Sequence, residues 1–356
     1  MKVLMSADTV GGVWTYALEL ADALAEHGVE VTLAAMGAPL SADQRDELRA
    51  CRVARFETSD CALEWMDEPW QDVDRAGEWL LQLADESEPD VVHLNGYAHA
   101  ALPWEVPVVV VGHSDVLSWH QAVRGTPAGP EWGVYRRAVQ TGLAAAALLV
   151  APTQAMLDEL IRLYDPACPR LVIANASRRA FPTRPKEELV LAAGRMWDDA
   201  KNVAALLRLA PRLPWPLVVA GPTAGTEPSP NARMLGRLGR NEMDDMLAAA
   251  AIFAAPATYE PFGLAALEAG RSGCALVLGD IPSLHEVWGD AALFADPRDD
   301  AALEHCLRSL IEDPRLRSEY ARRGHRRALR YSSQRMARSY VDAYRSVLHR
   351  NRVEVA

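Results

Sequence analysis

Lysine is almost missing from this chain: among 37 lysine and arginine residues, only Lys2, Lys186 and Lys201 are lysines. A lysine in a strand-to-helix loop is therefore less easily dismissed as surface filler than it would be elsewhere. Long apolar runs are missing too. The nearest candidate, "GLAAAALLVAP", falls short of the ~18 residues that cross a bilayer and reads as a helix end running into a buried strand. The stretch "MKVLMSADTV" has neither the charged start nor the long apolar segment of a secretory signal, so a cytoplasmic protein is expected. Five cysteines (Cys51, Cys61, Cys168, Cys274, Cys306) show no C-x-x-C spacing, which argues against a structural zinc site or a disulfide framework and for buried thiols. Positive charge is in deficit. A formal net charge of -11 opposes docking onto nucleic acid or anionic lipid.

What is present is a chain of 356 residues, half of them hydrophobic, long enough for two domains. "MKVLMSA", "VEVTLAAM", "DVVHLNG", "VPVVVVG" and "AALLVAP" are short apolar runs bounded by Gly, Pro or Asn, with helical stretches such as "VWTYALELADALAEHG" among them. Runs of that kind predict strands buried on both faces, hence a parallel sheet covered by helices. A second series follows the polar, proline-containing "SRRAFPTRPKEE": "LVLAAGR", "PLVVAGP", "AIFAAPA", "CALVLGD" and "ALFADP". The expected organisation is an N-terminal domain over 1–176, a linker over 177–188, a second α/β domain over 189–331 and a final helix over 332–356. Both domains read as doubly wound and Rossmann-like, and ligands of such sheets bind beyond the carboxyl ends of the strands. Two facing units would leave a cleft between them.

Charge is unevenly distributed. Between Glu57 and Asp90 there are twelve acidic residues and a single basic one, Arg75, whereas Arg315 to Arg352 holds twelve arginines against Glu319 and Asp342. The basic stretch reads either as a phosphate- or membrane-binding patch or as a solvated helical tail that complements acidic surface elsewhere.

Four loops carry candidate chemistry. In "DTVGGVW", Gly11 and Gly12 stand at a strand-to-helix turn whose free amides suit a phosphate, or simply form a tight turn. The segment is not G-x-G-x-x-G, and "VEVTLAAM" does not end in the acid that holds a dinucleotide ribose, so a nicotinamide dehydrogenase is disfavoured. In "VVVVGHSDVLSWH", His113 follows a strand directly, and Asp115, Trp119 and His120 form a polar, aromatic loop able to meet a sugar. In "AAGRMWDDAKN", Arg195 and Lys201 can converge on a diphosphate, one as a planar fork and the other as a point charge.

The fourth is "TYEPFGLAALEAG". Pro261 suits a first helical position, Gly263 permits close approach of a ligand, and the amides of Phe262, Gly263 and Leu264 can grip hydroxyls or phosphate oxygens beside Glu260. On a continuous helix Glu268 would lie roughly 12 Å along the axis from Glu260 and turned by about 80°. A glycosidase needs its carboxyls about 5 to 9.5 Å apart. The longer spacing suits two ends of one extended ligand; alternatively Glu260 serves the helix macrodipole and Glu268 is an ordinary helix former.

Together these segments resemble the family 4 retaining glycosyltransferases, whose GT-B fold consists of two facing Rossmann-like domains. The resemblance is strongest from Leu189 to Pro297, where "AAGRMWDDAKN", "VVAGP" and "PATYEPFGLAALEAGRSGCALVLGDIPSLHEVWGDAALFADP" follow the family's order and spacing. The N-terminal likeness is more generic, and Glu57 to Asp90 matches nothing recognisable. The resemblance implies that Arg195 and Lys201 hold the donor diphosphate, that Glu268 binds the ribose hydroxyls, and that Glu260 lies near the donor sugar. It also implies that Gly11 and Gly12 face the phosphates and that His113 lies beside the donor sugar. Relatives often space the arginine and lysine by five positions; here the spacing is six.

The implied reaction is metal-independent transfer of a hexose from a nucleotide diphosphate, a UDP-sugar in the first instance or GDP-mannose, to an acceptor hydroxyl with retention of configuration. No cofactor beyond that co-substrate is expected. The acidic, tryptophan-bearing segment (Trp65, Trp70, Trp79) favours a soluble acceptor, while the arginine-rich tail leaves membrane contact open. In the family the last helix crosses back onto the N-terminal domain, and its arginines are expected to face acidic surface there. A nucleotide-sugar epimerase and a noncatalytic nucleotide-sugar-binding protein are the alternatives.

Overall fold

The computed structural model describes residues 1–195, 197–222 and 229–355. The chain forms two compact units: Met1–Gln121, Thr126–Ala176 and Ser332–Ala356 make the first, and Ala122–Gly125 with Ser177–Tyr331 the second.

The first unit is built on a parallel sheet of β1 (Lys2–Asp8), β2 (Glu30–Met36), β3 (Arg55–Ser59), β4 (Val91–Leu94), β5 (Val108–Val111), β6 (Leu148–Ala151) and β7 (Arg170–Val172). Their spatial order is β3-β2-β1-β4-β5-β6-β7, with Val3 beside Val31 on one flank and Val91 on the other. The strand order reverses between β1 and β4, which opens a crevice at their carboxyl ends. Every residue of β4, β5 and β6 is buried, as their unbroken apolar sequences require. Helix Gly12–Ala25 packs on this sheet with Tyr16, Leu20, Ala21 and Leu24 buried, and helix Ser333–Val355 covers it in turn. The last helix buries Met336, Ala337, Tyr340, Tyr344 and Val347, an i, i+4, i+8 stripe with flanking positions.

The arginines of that last helix do not do what the charge pattern suggested. Among the described residues the ion pair they form is Arg345 with Asp342, one turn away on the same helix. Tyrosine packing and a hydrogen bond from Ser333 Oγ to the buried Glu19 carboxylate hold the helix instead.

The second unit has a parallel sheet of β8 (Glu187–Ala193), β9 (Leu217–Ala220), β10 (Ala232–Gly236), β11 (Ala250–Ala255), β12 (Ala275–Gly279) and β13 (Leu293–Ala295), in the order β10-β9-β8-β11-β12-β13. Its reversal falls between β8 and β11. Val190, Leu206, Leu209, Leu217, Ile252, Val277, Leu307 and Leu310 fill the core between this sheet and its helices. Truncating any of the leucines to alanine should cost about 2–5 kcal/mol.

The basic helix Pro314–Ala328 has structural employment in this unit. Arg317 donates to the carbonyls of Leu310 and Ile311 and lies 4.7 Å from the Trp215 ring, while Arg327 donates to Val287 and Glu286. These carbonyls sit in the last turns of helices Asp300–Glu312 and Pro282–Trp288, where intrahelical donors run out. No helix among the described residues is long and apolar enough to cross a membrane.

Candidate functional site

The loops that follow β8 and β11, neighbours at the reversal in the second unit, bring Arg195, Lys201 and Glu260 together. Gly194, at φ +157°, lies against the stem of Lys201: a Cβ there would meet its Cγ at 3.4 Å, an ordinary van der Waals contact. Asp198 caps the turn Asp199–Lys201 by accepting from the Ala200 amide, and the same carboxylate receives Arg195 Nη2 at 2.9 Å. The half-exposed Trp197 places its ring 5.0 Å from the Arg195 guanidinium carbon. Arg195 Nε is buried and has no acceptor among the described residues. A donor in that condition costs free energy until an anion meets it.

Lys201 Nζ lies 2.7 Å from Glu260 Oε2, with both side chains about three-quarters buried. The two loops are fastened to each other as well. The Thr258 amide donates to Ala200, and Asn202 Nδ2 donates to the carbonyls of Pro256 and Pro297. Lys201 and Glu260 are therefore held by backbone contacts and not merely by their own attraction.

The helix that follows Glu260 starts later than Pro261: it runs Leu264–Arg271, with Gly263 as its N-cap at φ +90°. That left-handed residue breaks the continuous-helix geometry on which the 12 Å spacing rested. Glu260 Oε1 accepts from the Gly263 amide at 3.0 Å, and its carbonyl accepts from Ser283 Oγ at 2.6 Å. The Phe262 ring is in the core, edge-on to Tyr331, so what Phe262 can offer a ligand is backbone. The first-turn amides beginning at Leu264 have no intrahelical acceptor, an arrangement that suits an anion.

Glu268 lies on the same helix but belongs to a different cluster. Its Oε1 receives Arg179 Nη1 at 2.8 Å, and Arg179 also pairs with Asp244. Burial raises the Glu268 carboxyl above its ordinary range, and Arg179 pulls it back down. Arg179 falls in the stretch read as linker. Its backbone carbonyl accepts from Arg271 Nε, so this part of the stretch is fixed to the second unit.

In the first unit, Gly11 caps helix Gly12–Ala25 at φ +104° with no side-chain cap and no acid in the first turn, which leaves the amides there open to an anion. His113 follows β5. Its Nε2 lies 2.8 Å from Asn95 Oδ1, its ring stands edge-on to Tyr16 at 4.3 Å, and burial lowers its pKa to about 3. Asp115 turns inward: it accepts from the Ser118 amide and from the hydroxyls of Tyr135 and Tyr164, and so cannot serve the polar, sugar-facing role its position suggested. Trp119, His120 and Trp132 form a half-exposed ring cluster, with neighbouring centroids 5.3 and 5.7 Å apart. Asn95, Arg179 and Asp198 were not singled out from sequence. The signal for Asn95 was its place directly after a strand at the reversal, and Arg179 and Asp198 had no comparable signal.

Two doubly wound parallel domains, with cations and helix N-termini gathered at the reversal of the second, define a GT-B glycosyltransferase. Residues 10–176 match the profile described as Glycosyltransferase Family 4, and residues 174–327 that described as Glycosyl transferases group 1. The chain is 30% identical to a glycogen synthase of Mycobacterium tuberculosis, over 71% of this chain and 68% of that protein. It is 29% identical to the O-antigen chain mannosyltransferase B of Escherichia coli, over 59% of this chain and 63% of that one, so it spans about two thirds of the length of these relatives. Among solved structures, the sucrose-phosphate synthase of Thermosynechococcus elongatus superposes with a TM-score of 0.80 at 16% identity, covering 98% of this chain and 99% of that one. Anabaena HepE in complex with UDP-glucose superposes with 0.75 at 17% identity, covering 97% and 100%. The chain belongs to glycosyltransferase family 4.

Proposed function

We propose that the protein transfers a hexose from a UDP-sugar to an acceptor hydroxyl, with retention of configuration and without a required metal. The observation that carries this reading is the buried Nε of Arg195, which has no acceptor among the described residues, on the loop that also carries Lys201, itself paired with Glu260, at the strand-order reversal. As the sugar leaves, negative charge builds on the diphosphate. Arg195, Lys201 and the amides from Leu264 onward are suited to stabilise it, since fixed donors need no reorganisation at that moment. Glu260 is held by Lys201 and by the Gly263 amide, so its part is to orient sugar hydroxyls, not to attack carbon. Glu268, fixed by Arg179, is assigned to the ribose, Gly11 and Gly12 to the phosphates, and His113 to the donor sugar.

HepE, a structural likeness, was solved with UDP-glucose, which supports uridine as the base. The mannosyltransferase relative supports GDP-mannose as the second donor to test. A soluble acceptor and a cytoplasmic site of action belong to the same proposal. The test is a thermal-shift screen of uridine, guanosine and adenosine diphosphates and their sugars, then donor turnover with and without chelator. A melting temperature unmoved by every nucleotide at millimolar concentration would overturn the reading, and turnover abolished by chelator would overturn its metal-independence.

A further inference from the structure

The first unit contains a chain of polar rings that leads from the last helix to His113, and its hydrogen bonds fix where the histidine protons lie. Asn95 fixes it. The Asn95 amide nitrogen Nδ2 lies 2.5 Å from the Ser6 carbonyl oxygen, and the Asn95 backbone N–H donates to Ser6 Oγ at 2.9 Å. Turning the side-chain amide over would set its oxygen against the Ser6 carbonyl, acceptor against acceptor. Asn95 Oδ1 must therefore face the other way, where it meets His113 Nε2 at 2.8 Å and His93 Nε2 at 3.2 Å. An amide oxygen only accepts, so both Nε2 atoms carry hydrogen.

The remaining contacts agree. His93 Nδ1 lies 2.6 Å from the Tyr344 hydroxyl, which then donates to it. Tyr16 donates to Tyr340 at 2.6 Å, which leaves the Tyr16 oxygen free to accept a second, longer contact from His93 Nε2 at 3.4 Å. His93, Tyr16, Tyr340 and Tyr344 are fully buried, so no water can rearrange this order cheaply. His113 Nδ1 has no hydrogen-bond partner among the described residues, and the residue is mostly buried but retains some exposure.

We infer that Asn95 is a positioning residue that locks His113 in the tautomer protonated at Nε2, so that Nδ1 presents a lone pair to a donor-sugar hydroxyl. His113 thus acts as a hydrogen-bond acceptor and does not deliver a proton. The inference rests on the assignment of His113 to the donor sugar, and its test separates the two.

The ring nitrogens of histidine-labelled protein are read by long-range nitrogen–proton correlation at neutral pH, with His113 assigned by the signals lost in His113→Gln. The lock requires the Nε2-protonated pattern for His113 in the unaltered protein. Asn95→Leu should convert it to a mixture of tautomers and lower kcat in proportion to the Nε2-protonated fraction lost, about twofold for an even mixture, with nucleoside diphosphate binding retained. Tyr344→Phe should leave the His113 pattern unchanged, since Asn95 still holds it. A proton on Nδ1 of His113 in the unaltered protein overturns the lock outright, even if Asn95→Leu fails to fold. An Nε2-protonated His113 in a protein whose His113→Gln variant is fully active keeps the lock and overturns the assignment of His113 to the sugar.

Discussion

Replacing Arg179 with methionine removes the cation from the Glu268 cluster while keeping most of the side chain's bulk. In the native protein Arg179 and Glu268 are each only 11% exposed at the side chain, and Asp244 is the second acid on the same guanidinium. Arg179→Met leaves two carboxylates close together, one of them buried, with no cation between them. Removing one partner of a buried pair typically costs 3–5 kcal/mol, and the slight wetness of this one places the expectation at about 3 kcal/mol. For a unit of this size that is a fall in Tm of roughly 6–12 °C. The pH dependence identifies the cause. Burial already raises the Glu268 carboxyl and Arg179 opposes it, so the variant raises it further. A raised acid contributes stability that is full below the ordinary glutamate range and is lost as pH rises through its native value. The deficit of Arg179→Met should therefore be largest at neutral pH and shrink toward about pH 5. Arg179→Met/Glu268→Gln should recover much of it. Calorimetric melts of the three proteins across this range decide the matter; a pH-independent deficit, or a double variant no better than the single one, would refute the electrostatic account.

Other expectations follow from the same geometry. Glu260→Gln removes the carboxylate 2.7 Å from Lys201; nucleoside diphosphate should bind as well or up to about fivefold tighter, while kcat falls on the order of a hundredfold, read by calorimetry and donor turnover. Arg195→Ala should weaken nucleoside diphosphate by roughly tenfold or more and leave the free nucleoside unaffected, as competition binding would show. Gly263→Ala places a Cβ 3.2 Å from Leu284 Cδ2 at φ +90°, and should cost about 1–3 kcal/mol in denaturant melts. His93 and His113 are held neutral by burial, at about 4 and about 3. Bases lowered in this way contribute stability above the ordinary histidine range and lose it as pH falls, each by about 1.4 kcal/mol per pH unit, so His93→Phe should flatten the acid limb of the stability curve.

Much of the fold was legible in the sequence because interior parallel strands must be apolar on both faces. The runs "VEVTLAAM", "DVVHLNG", "VPVVVVG" and "AALLVAP" became β2, β4, β5 and β6, and the five runs of the second series became β8, β9, β11, β12 and β13. Three strands left no such trace. β3 ("RFETS"), β7 ("RLV") and β10 ("ARMLG") are sheet edges, mostly half-exposed, where a charged residue costs little. The meeting of Lys201 with Glu260 was also not readable, since it depends on two loops 59 positions apart being zipped by Thr258 and Asn202. Residue type alone marked each as competent. The fate of Asp115 shows the converse: a polar residue beside His113 in sequence turns away from it because Tyr135 and Tyr164 supply hydroxyls on the inner side.

The charges around Arg195 and Lys201 are balanced by those of Asp198 and Glu260 before any ligand arrives. A site built this way distinguishes poorly between the donor and what is left of it. The spent nucleoside diphosphate would keep every phosphate and ribose contact proposed for the donor, carry additional negative charge, and lose only the sugar contacts. Its departure therefore gains little from the reaction itself. If the proposed function holds, product inhibition is the expected outcome, and turnover would follow the ratio of nucleotide sugar to free nucleoside diphosphate more closely than the concentration of either.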